Sequence, residues 1–146
     1  MAENIKFKLT VNSVIDNLSE LGLPEGEPEI NIFTTDGTLA FSGDTYVMSF
    51  TEVQENAEVY TTLYVTPEEV RLVKSGAITS EMLFKEGEIF NTLYHVGPYS
   101  FDMCVRTKRI RNSVGEEGGE LQLIYSMNVG GQEKNVRMKI SAKKTR

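Results

Sequence analysis

The regular alternation of polar and apolar residues is the feature that most limits what this chain can fold into. Every second residue is apolar over residues 5–11 and again over residues 99–105. This period of two is that of a half-buried β-strand, because successive side chains of a strand point to opposite faces. Further runs of the same kind cover residues 46–50, 59–65, 121–129 and 136–142. No helical pattern of comparable length competes with them, so the chain is predicted to be all-β.

Short turn signals separate the alternating runs. They include Asp36-Gly37, Gly43-Asp44, Gly97-Pro98 and Gly130-Gly131. Glycine adopts positive φ at little steric cost, so such pairs favour tight hairpins. Many short strands between regular turns are typical of an antiparallel sandwich or barrel. The 146 residues suit one domain spanning residues 1–146.

One long connection, residues 17–29, follows the first strand, and two interpretations of it stay open. Its sequence, NLSELGLPEGEPE, combines acidic residues with prolines and glycines. Loops of this length in compact domains are often lids or binding loops. The other interpretation is a mobile acidic surface loop.

Charge and composition narrow the classes of partner. The chain has 15 Lys+Arg against 21 Asp+Glu, for a net charge of -6. Nucleic-acid binding needs a broad basic face, so we expect no nucleic-acid partner. No run is apolar enough for a membrane helix or a signal peptide, and we expect no membrane partner. The one cysteine, Cys104, excludes an internal disulfide and suits a reducing cytoplasm.

Five short motifs in the second half carry a family resemblance. They are Lys74-Ser75-Gly76, the F-x-x-G hairpin of residues 84–87, Tyr99, Thr107-Lys108 and the GELQLIY strand of residues 119–125. In this order and spacing they resemble the YwiB-like family of uncharacterised bacterial β-barrel proteins. The resemblance is good over residues 58–143 and looser over the first third. It implies a calycin-like (lipocalin-like) closed barrel and brings no established function. The expected fold is therefore a single antiparallel barrel of about 8–10 strands with one long loop after the first strand.

The residues of known catalytic and metal sites are mostly missing. His95 is the only histidine, and no G-x-S-x-G elbow, zinc-type Cys/His spacing or phosphate-binding glycine loop occurs. We therefore expect no catalytic residue, no metal and no cofactor. An enzyme that uses His95 and Tyr94 at the barrel mouth is the least favoured hypothesis.

The residues predicted to face inward are bulky, which favours a largely filled barrel with at most one pocket near a mouth. Four of the six methionines take the apolar parity of their strands. Methionine can line a site for variable apolar ligands, or it can simply fill gaps, and both interpretations stay open. The predicted inward set is Phe7, Met48, Phe50, Leu63, Phe101, Met103, Leu123, Tyr125, Met138 and Ile140.

Four positive charges crowd into residues 106–111: Arg106, Lys108, Arg109 and Arg111. Arg106 and Lys108 share the outward parity of their strand, whereas Arg109 falls on the core parity, where an unpaired charge is too costly to bury. The strand must therefore end or bulge near Thr107, or Arg109 must reach the barrel mouth. At the mouth it could hold a carboxylate or phosphate. The alternative is surface charge paired across the hairpin with Glu116, Glu117 or Glu120.

Two function classes lead. The first is a non-enzymatic module that binds a small amphipathic or anionic ligand. Its candidate ligand-binding residues are Arg109, Met48, Met103, Met127, Tyr125 and His95. The second is a protein-interaction scaffold with a filled barrel, a monomer or a homodimer, whose outward patch comprises Tyr60, Tyr64, Val47 and Ile124. An internal cavity above ~300 Å³ would favour the ligand.

Overall fold

The computed structural model describes residues 5–54 and 57–145, which form ten antiparallel strands in one closed barrel. Each strand pairs with the next along the chain, and β1 pairs with β10 to close the ring. The predicted all-β barrel is confirmed. The strands are β1 (Ile5–Asn17), β2 (Glu29–Ser42), β3 (Thr45–Gln54), β4 (Ala57–Val65), β5 (Val70–Gly76), β6 (Ile78–Phe84), β7 (Ile89–Val96), β8 (Tyr99–Asn112), β9 (Gly118–Val129) and β10 (Gln132–Lys144).

The barrel has two distinct ends. The upper end carries the 18–28 loop, the last residues of β3, the first residues of β4, and the connections that follow β5, β7 and β9. The lower end carries the other four connections and the first residues of β1. Within the described ranges, no helix is long and apolar enough to cross a membrane.

Strand β4 illustrates how the alternation builds the wall. Val59, Leu63 and Val65 are buried, whereas Tyr60 and Tyr64 on the opposite parity are exposed. The apolar row faces the barrel axis and removes its side chains from water, while the polar backbone groups are satisfied by the neighbouring strands. The same alternation is seen in β6 and in the first part of β1.

The lower half of the barrel is packed solid. Phe7, Phe84, Leu63 and Val70 are fully buried there. The Phe84 ring meets the Tyr125 ring at a centroid distance of 4.7 Å. These contacts give the lower half the interdigitated core of an ordinary small domain.

Phe101 departs from the predicted inward set. It keeps the inward parity of β8, opposite Tyr94, but 41% of its surface is exposed. Its place near the start of β8 puts it at the upper rim, where the barrel interior meets solvent. The prediction that Phe101 is inside the core is therefore wrong.

A β-bulge in β8 decides where the positive cluster points. The pairing of β8 with β9 shifts between Thr107 and Arg109, so Lys108 is the extra residue. One extra residue reverses the parity that follows it. Arg109 consequently lies opposite Ile124 on the outer face and is exposed, while Ile110 turns inward and packs against the core. The predicted bulge near Thr107 is confirmed, and the alternative prediction, which placed Arg109 at the barrel mouth, is wrong.

The ladder between β2 and β3 is incomplete. The two strands pair from Gly37 with Phe50 down to Ser42 with Thr45. Above that point β2 still pairs with β1, and β3 still pairs with β4. Residues 29–36 of β2 and 51–54 of β3 therefore border a gap, which we call the seam.

Candidate functional site

A cavity of about 860 Å³ occupies the upper half of the barrel. It is lined by residues of every strand except β4. Tyr125 lines its floor, and Phe84 packs beneath that ring. The barrel is therefore filled below and hollow above, and the largely filled interior predicted from sequence holds only for the lower half.

Methionines give the cavity much of its apolar surface. Met103, Met127 and Met138 line one side, and Met82 faces them from β6. Met103, Met127 and Tyr125 were predicted as ligand-binding residues, and all three line the cavity. Met48, also predicted, is fully buried and is not part of the lining. Unbranched thioether side chains adapt their shape readily, which suits a pocket for a flexible apolar group.

A charged pair lies on the opposite side of the cavity. The Lys74 ammonium is 3.8 Å from a Glu52 carboxylate oxygen, and the two side chains are only 21% and 12% exposed. Thr61 donates a hydrogen bond of 3.3 Å to the same carboxylate. Both charges face inward because they continue the apolar parity of β5 and β3. Their proximity offsets part of the cost of removing each from water.

The turn beside Lys74 requires glycine. Gly76 has φ of 100°, and a Cβ there would lie 2.5 Å from the backbone oxygen of Glu58. Only a residue without a side chain fits so closely against the neighbouring strand at this φ. Lys74, Ser75 and Gly76 are thereby held closely against β4 as the last three residues of β5.

Two tyrosines contribute neutral hydroxyls. Burial, and then the negative charge of Glu52, raise the pKa of Tyr94 above its ordinary 10.0. Burial likewise raises the pKa of Tyr125. Both phenols are therefore protonated at neutral pH and keep an O–H that can donate to a bound acceptor.

Lys134 is the third charge of the cavity. It lies two residues after the start of β10, opposite Met127 of β9 and Asn17 of β1. Strands β10 and β5 stand five places apart in the ring of ten, so Lys134 and Lys74 come from opposite walls. No ion pair joins Lys134 to any residue within 5–54 or 57–145.

The cavity opens sideways through the seam. Its lining includes consecutive residues 31–35 of β2 and 51–53 of β3. Side chains of both parities can border one cavity only where the wall between the two strands is open. None of the residues 18–28 lines the cavity, and residues 20–28 are exposed, so the long loop is a surface loop.

His95 lies outside the site. Its Nδ1 is 2.7 Å from the hydroxyl oxygen of Ser100 on the outward face of β7 and β8. Tyr94, its neighbour in sequence, faces inward. The two candidates for an enzyme at the mouth therefore lie on opposite faces of the wall, and the prediction that His95 contacts the cavity is wrong.

The positive cluster also lies outside the cavity, and its predicted partners are taken elsewhere. Glu120 pairs with Lys139 at 3.0 Å, and Glu117 pairs with Lys144 at 3.7 Å. In the described part of the chain, the cations of residues 106–111 join no ion pair. The alternative prediction, that these cations pair with Glu116, Glu117 or Glu120, is therefore wrong.

The residues that sequence reasoning missed share a recognisable signal. Glu52, Lys74 and Lys134 are charged residues that continue the apolar parity of a strand close to its upper end. An inward charge near a strand end indicates that water or a ligand reaches the interior there. Met82 was missed as well, and its burial within β6 follows the same parity.

A second depression of about 850 Å³ lies at the lower end. Its lining comes largely from turns and strand ends, including Asp44, Glu68, Lys85 and Glu86. It is a charged surface groove outside the packed core. Among the described residues, no group of three or more His, Cys, Asp or Glu side chains is placed to hold a metal ion.

Comparison with known proteins identifies the family. The model of the family described as "Domain of unknown function (DUF1934)" matches residues 23–141. The chain belongs to this family. It is also 25% identical, over 136 residues, to the uncharacterised β-barrel protein YwiB of Bacillus subtilis (strain 168), covering 93% of this chain and 91% of that protein. The resemblance to the YwiB-like family is confirmed.

The fold is shared with a solved structure. The crystal structure of ywiB protein from Bacillus subtilis superimposes with a TM-score of 0.85, at 24% identity, covering 98% of this chain and 94% of the other. That match supports the barrel architecture. The family is one of unknown function, so the site must be interpreted from its own geometry.

Proposed function

We propose that this protein is a non-enzymatic, cytoplasmic, calycin-like binding module that holds a small amphipathic ligand with an anionic head group. The cavity of about 860 Å³ falls within the ~300–1,000 Å³ typical of small-molecule sites. The observation that carries the proposal is Lys134, a cation that lines this apolar cavity and has no ion pair in the described part of the chain.

The lining supports one orientation of the ligand. An apolar tail gains about 25 cal/mol for each Å² that it buries against Met103, Met127 and Met138. An anionic head meets Lys134 at the rim, on the side of the cavity away from the Glu52 charge that acts on Tyr94. Lys74 contributes less net charge, because Glu52 lies beside it.

Native mass spectrometry of the protein as purified is the first test. We expect a mass above that of the chain which disappears when the protein is unfolded, and the same spectrum gives the number of subunits. Protein purified without any added mass would still be open to titration with defined amphiphiles.

The second test uses two ligands with the same tail and opposite heads, dodecanoate and dodecylammonium. We expect the wild-type protein to prefer dodecanoate, and Lys134→Gln to weaken dodecanoate binding about tenfold, since hydrogen bonds to charged groups contribute roughly 1.5–3 kcal/mol. Lys85→Gln is the control, because Lys85 is an exposed cation in the turn after β6 and does not line the cavity. Equal binding of the two ligands, or equal loss in both variants, would contradict the proposal.

A second candidate function, an interaction scaffold, has one supporting observation. Tyr60 and Tyr64 are 50% and 41% exposed on the outer face of β4, and Val47 is the cross-strand neighbour of Tyr64. Ile124 does not join this patch, because β9 lies on the opposite side of the ring from β4. Sedimentation of wild type and Tyr64→Ser would reveal a dimer through this face.

A further inference from the structure

The charges of this protein are strongly segregated. Residues 9–70 contain no Lys or Arg and twelve of the 21 Asp and Glu residues. Seven of the 15 cations lie instead on the outer face of three consecutive strands, β8 to β10, from the middle of each strand to its lower end. In the described structure Glu120 is the one acidic residue at an outward position of this region, whereas Asp102 and Glu133 face outward nearer the upper end. We call this face the basic wall. Its cations are Arg106, Lys108, Arg109, Arg111, Arg137, Lys139 and Lys143.

The strand register arranges these cations in rows. Arg109 and Arg137 flank Ile124 in one row across β8, β9 and β10. Arg111 and Lys139 flank Gln122 in the next row. Neighbouring strands lie ~4.8 Å apart, so the Cα atoms of Arg109 and Arg137 are about 10 Å apart. The bulge at Lys108 produces this arrangement, because it brings Arg109 and Arg111 onto the outer face.

The wall is poorly neutralised from within. Glu120 pairs with Lys139 alone. The nearby Glu86 carboxylate accepts a hydrogen bond of 2.7 Å from the backbone N–H of Ile110. Neighbouring like charges repel each other, and repulsion of this kind is relieved when a partner brings carboxylates.

We propose that the basic wall docks an acidic, extended segment of another protein. Arginine binds carboxylates through two parallel hydrogen bonds, and alternate residues of an extended chain lie about 6.8 Å apart, as Arg109 and Arg111 do on β8. Ile124 offers an apolar contact between the two flanking arginines. The segment's carboxylates therefore face Arg109, Arg111 and Arg137, with one apolar side chain over Ile124.

A peptide fits the wall better than a nucleic acid does. The outward positions of the wall carry no aromatic side chain on which a base could stack. A long polyanion would also extend beyond the wall toward the acidic remainder of the barrel, within reach of repulsion at a Debye length of ~8 Å. A short acidic segment avoids both problems.

The test measures binding of a fluorescent peptide of alternating glutamate and threonine by anisotropy at low and high salt. We expect binding at low salt that weakens as salt rises, and a loss of about fivefold or more in the double variant Arg109→Gln/Arg137→Gln. The matched control is Arg71→Gln/Lys85→Gln, which removes two exposed cations from β5 and the turn after β6. Both double variants have the same net charge, so only position distinguishes them.

Three results would overturn the inference. They are no binding of the acidic peptide, an equal loss in both double variants, and tighter binding of a single-stranded oligothymidine of equal charge. The basic wall lies on the outer face and the cavity lies inside the barrel, so the two proposals are independent. We therefore expect saturating dodecanoate to leave peptide binding unchanged. A failure of one proposal is thereby distinguishable from a failure of the other.

Discussion

The lower and upper halves of this barrel are built from the same strands but have opposite interiors. In the lower half, Phe7, Phe84 and Leu63 fill the space to the axis. In the upper half, methionines and inward charges surround a cavity of about 860 Å³. The difference teaches that the hydrogen-bonded wall does not determine whether a barrel is filled. The size and shape of the inward side chains at each level of the barrel determine it.

The number of strands explains why filling takes large side chains. Barrel diameter grows with strand number, and eight strands already leave an interior that is only just filled by side chains. This ring has ten. Aromatic rings such as Phe84 and Tyr125, in contact at 4.7 Å, span the wider interior below. Flexible side chains such as Met127 leave it open above.

Truncation should separate the halves most clearly. Phe84→Ala removes a fully buried ring, and we expect it to lower the free energy of unfolding by about 3–5 kcal/mol. Met127→Ala enlarges an existing cavity, so we expect a loss below about 2 kcal/mol. Urea denaturation of both variants gives the two values. Equal losses would show that the upper interior is packed as tightly as the lower.

A turn at the upper rim should be the next most sensitive position. Gly76→Ala combines positive φ with a Cβ 2.5 Å from backbone, and we expect a loss of about 2–3 kcal/mol. Gly131→Ala is the control, because Gly131 has a similar φ of 93° but a Cβ there would meet no atom within 4 Å beyond its neighbours in the chain. Thermal unfolding compares them. If Gly131→Ala lost as much stability as Gly76→Ala, the positive φ alone would explain both losses, and the close contact with Glu58 would contribute nothing.

Alkaline pH should weaken the floor between the halves. The raised pKa of Tyr125 means that its phenol stays neutral in the fold where it ionises in the unfolded chain. This stabilisation is complete below pH 10.0 and is lost as the pH rises above it, by at most about 1.4 kcal/mol per pH unit. Unfolding measured up to and beyond pH 10.0 should show a shallower decline for Tyr125→Phe than for wild type. Identical declines would refute the assignment.

Filling the cavity should change stability least and binding most. Val129→Phe adds a ring to the lining, and we expect the free energy of unfolding to change by less than about 1 kcal/mol. Dodecanoate binding should fall about tenfold or more, because the ring occupies the space of the tail. Unchanged binding would place the ligand outside this cavity. Peptide binding to the basic wall serves as the internal control.

The sequence predicted the wall of the barrel better than its contents. Alternation and turn residues determine the strands, because burying one face of a strand requires a period of two. The same pattern does not show how much empty space lies beside an inward side chain. It therefore does not distinguish Met48, in the packed core, from Met127, which lines the cavity. The bulge at Lys108 was one of two open predictions, and parity counting alone could not choose between it and an inward Arg109.

The seam between β2 and β3 makes the width of the cavity adjustable. Above Gly37, the backbone of β2 pairs with β1 only, although the Phe33 ring still packs on the Phe50 ring of β3 with centroids 6.0 Å apart. Its upper part can therefore bend outward as a ribbon without breaking any hydrogen bond to β3. The largest ligand that the cavity can accept is then set by how far the paired strands β1 and β2 can bend, and not by a fixed volume.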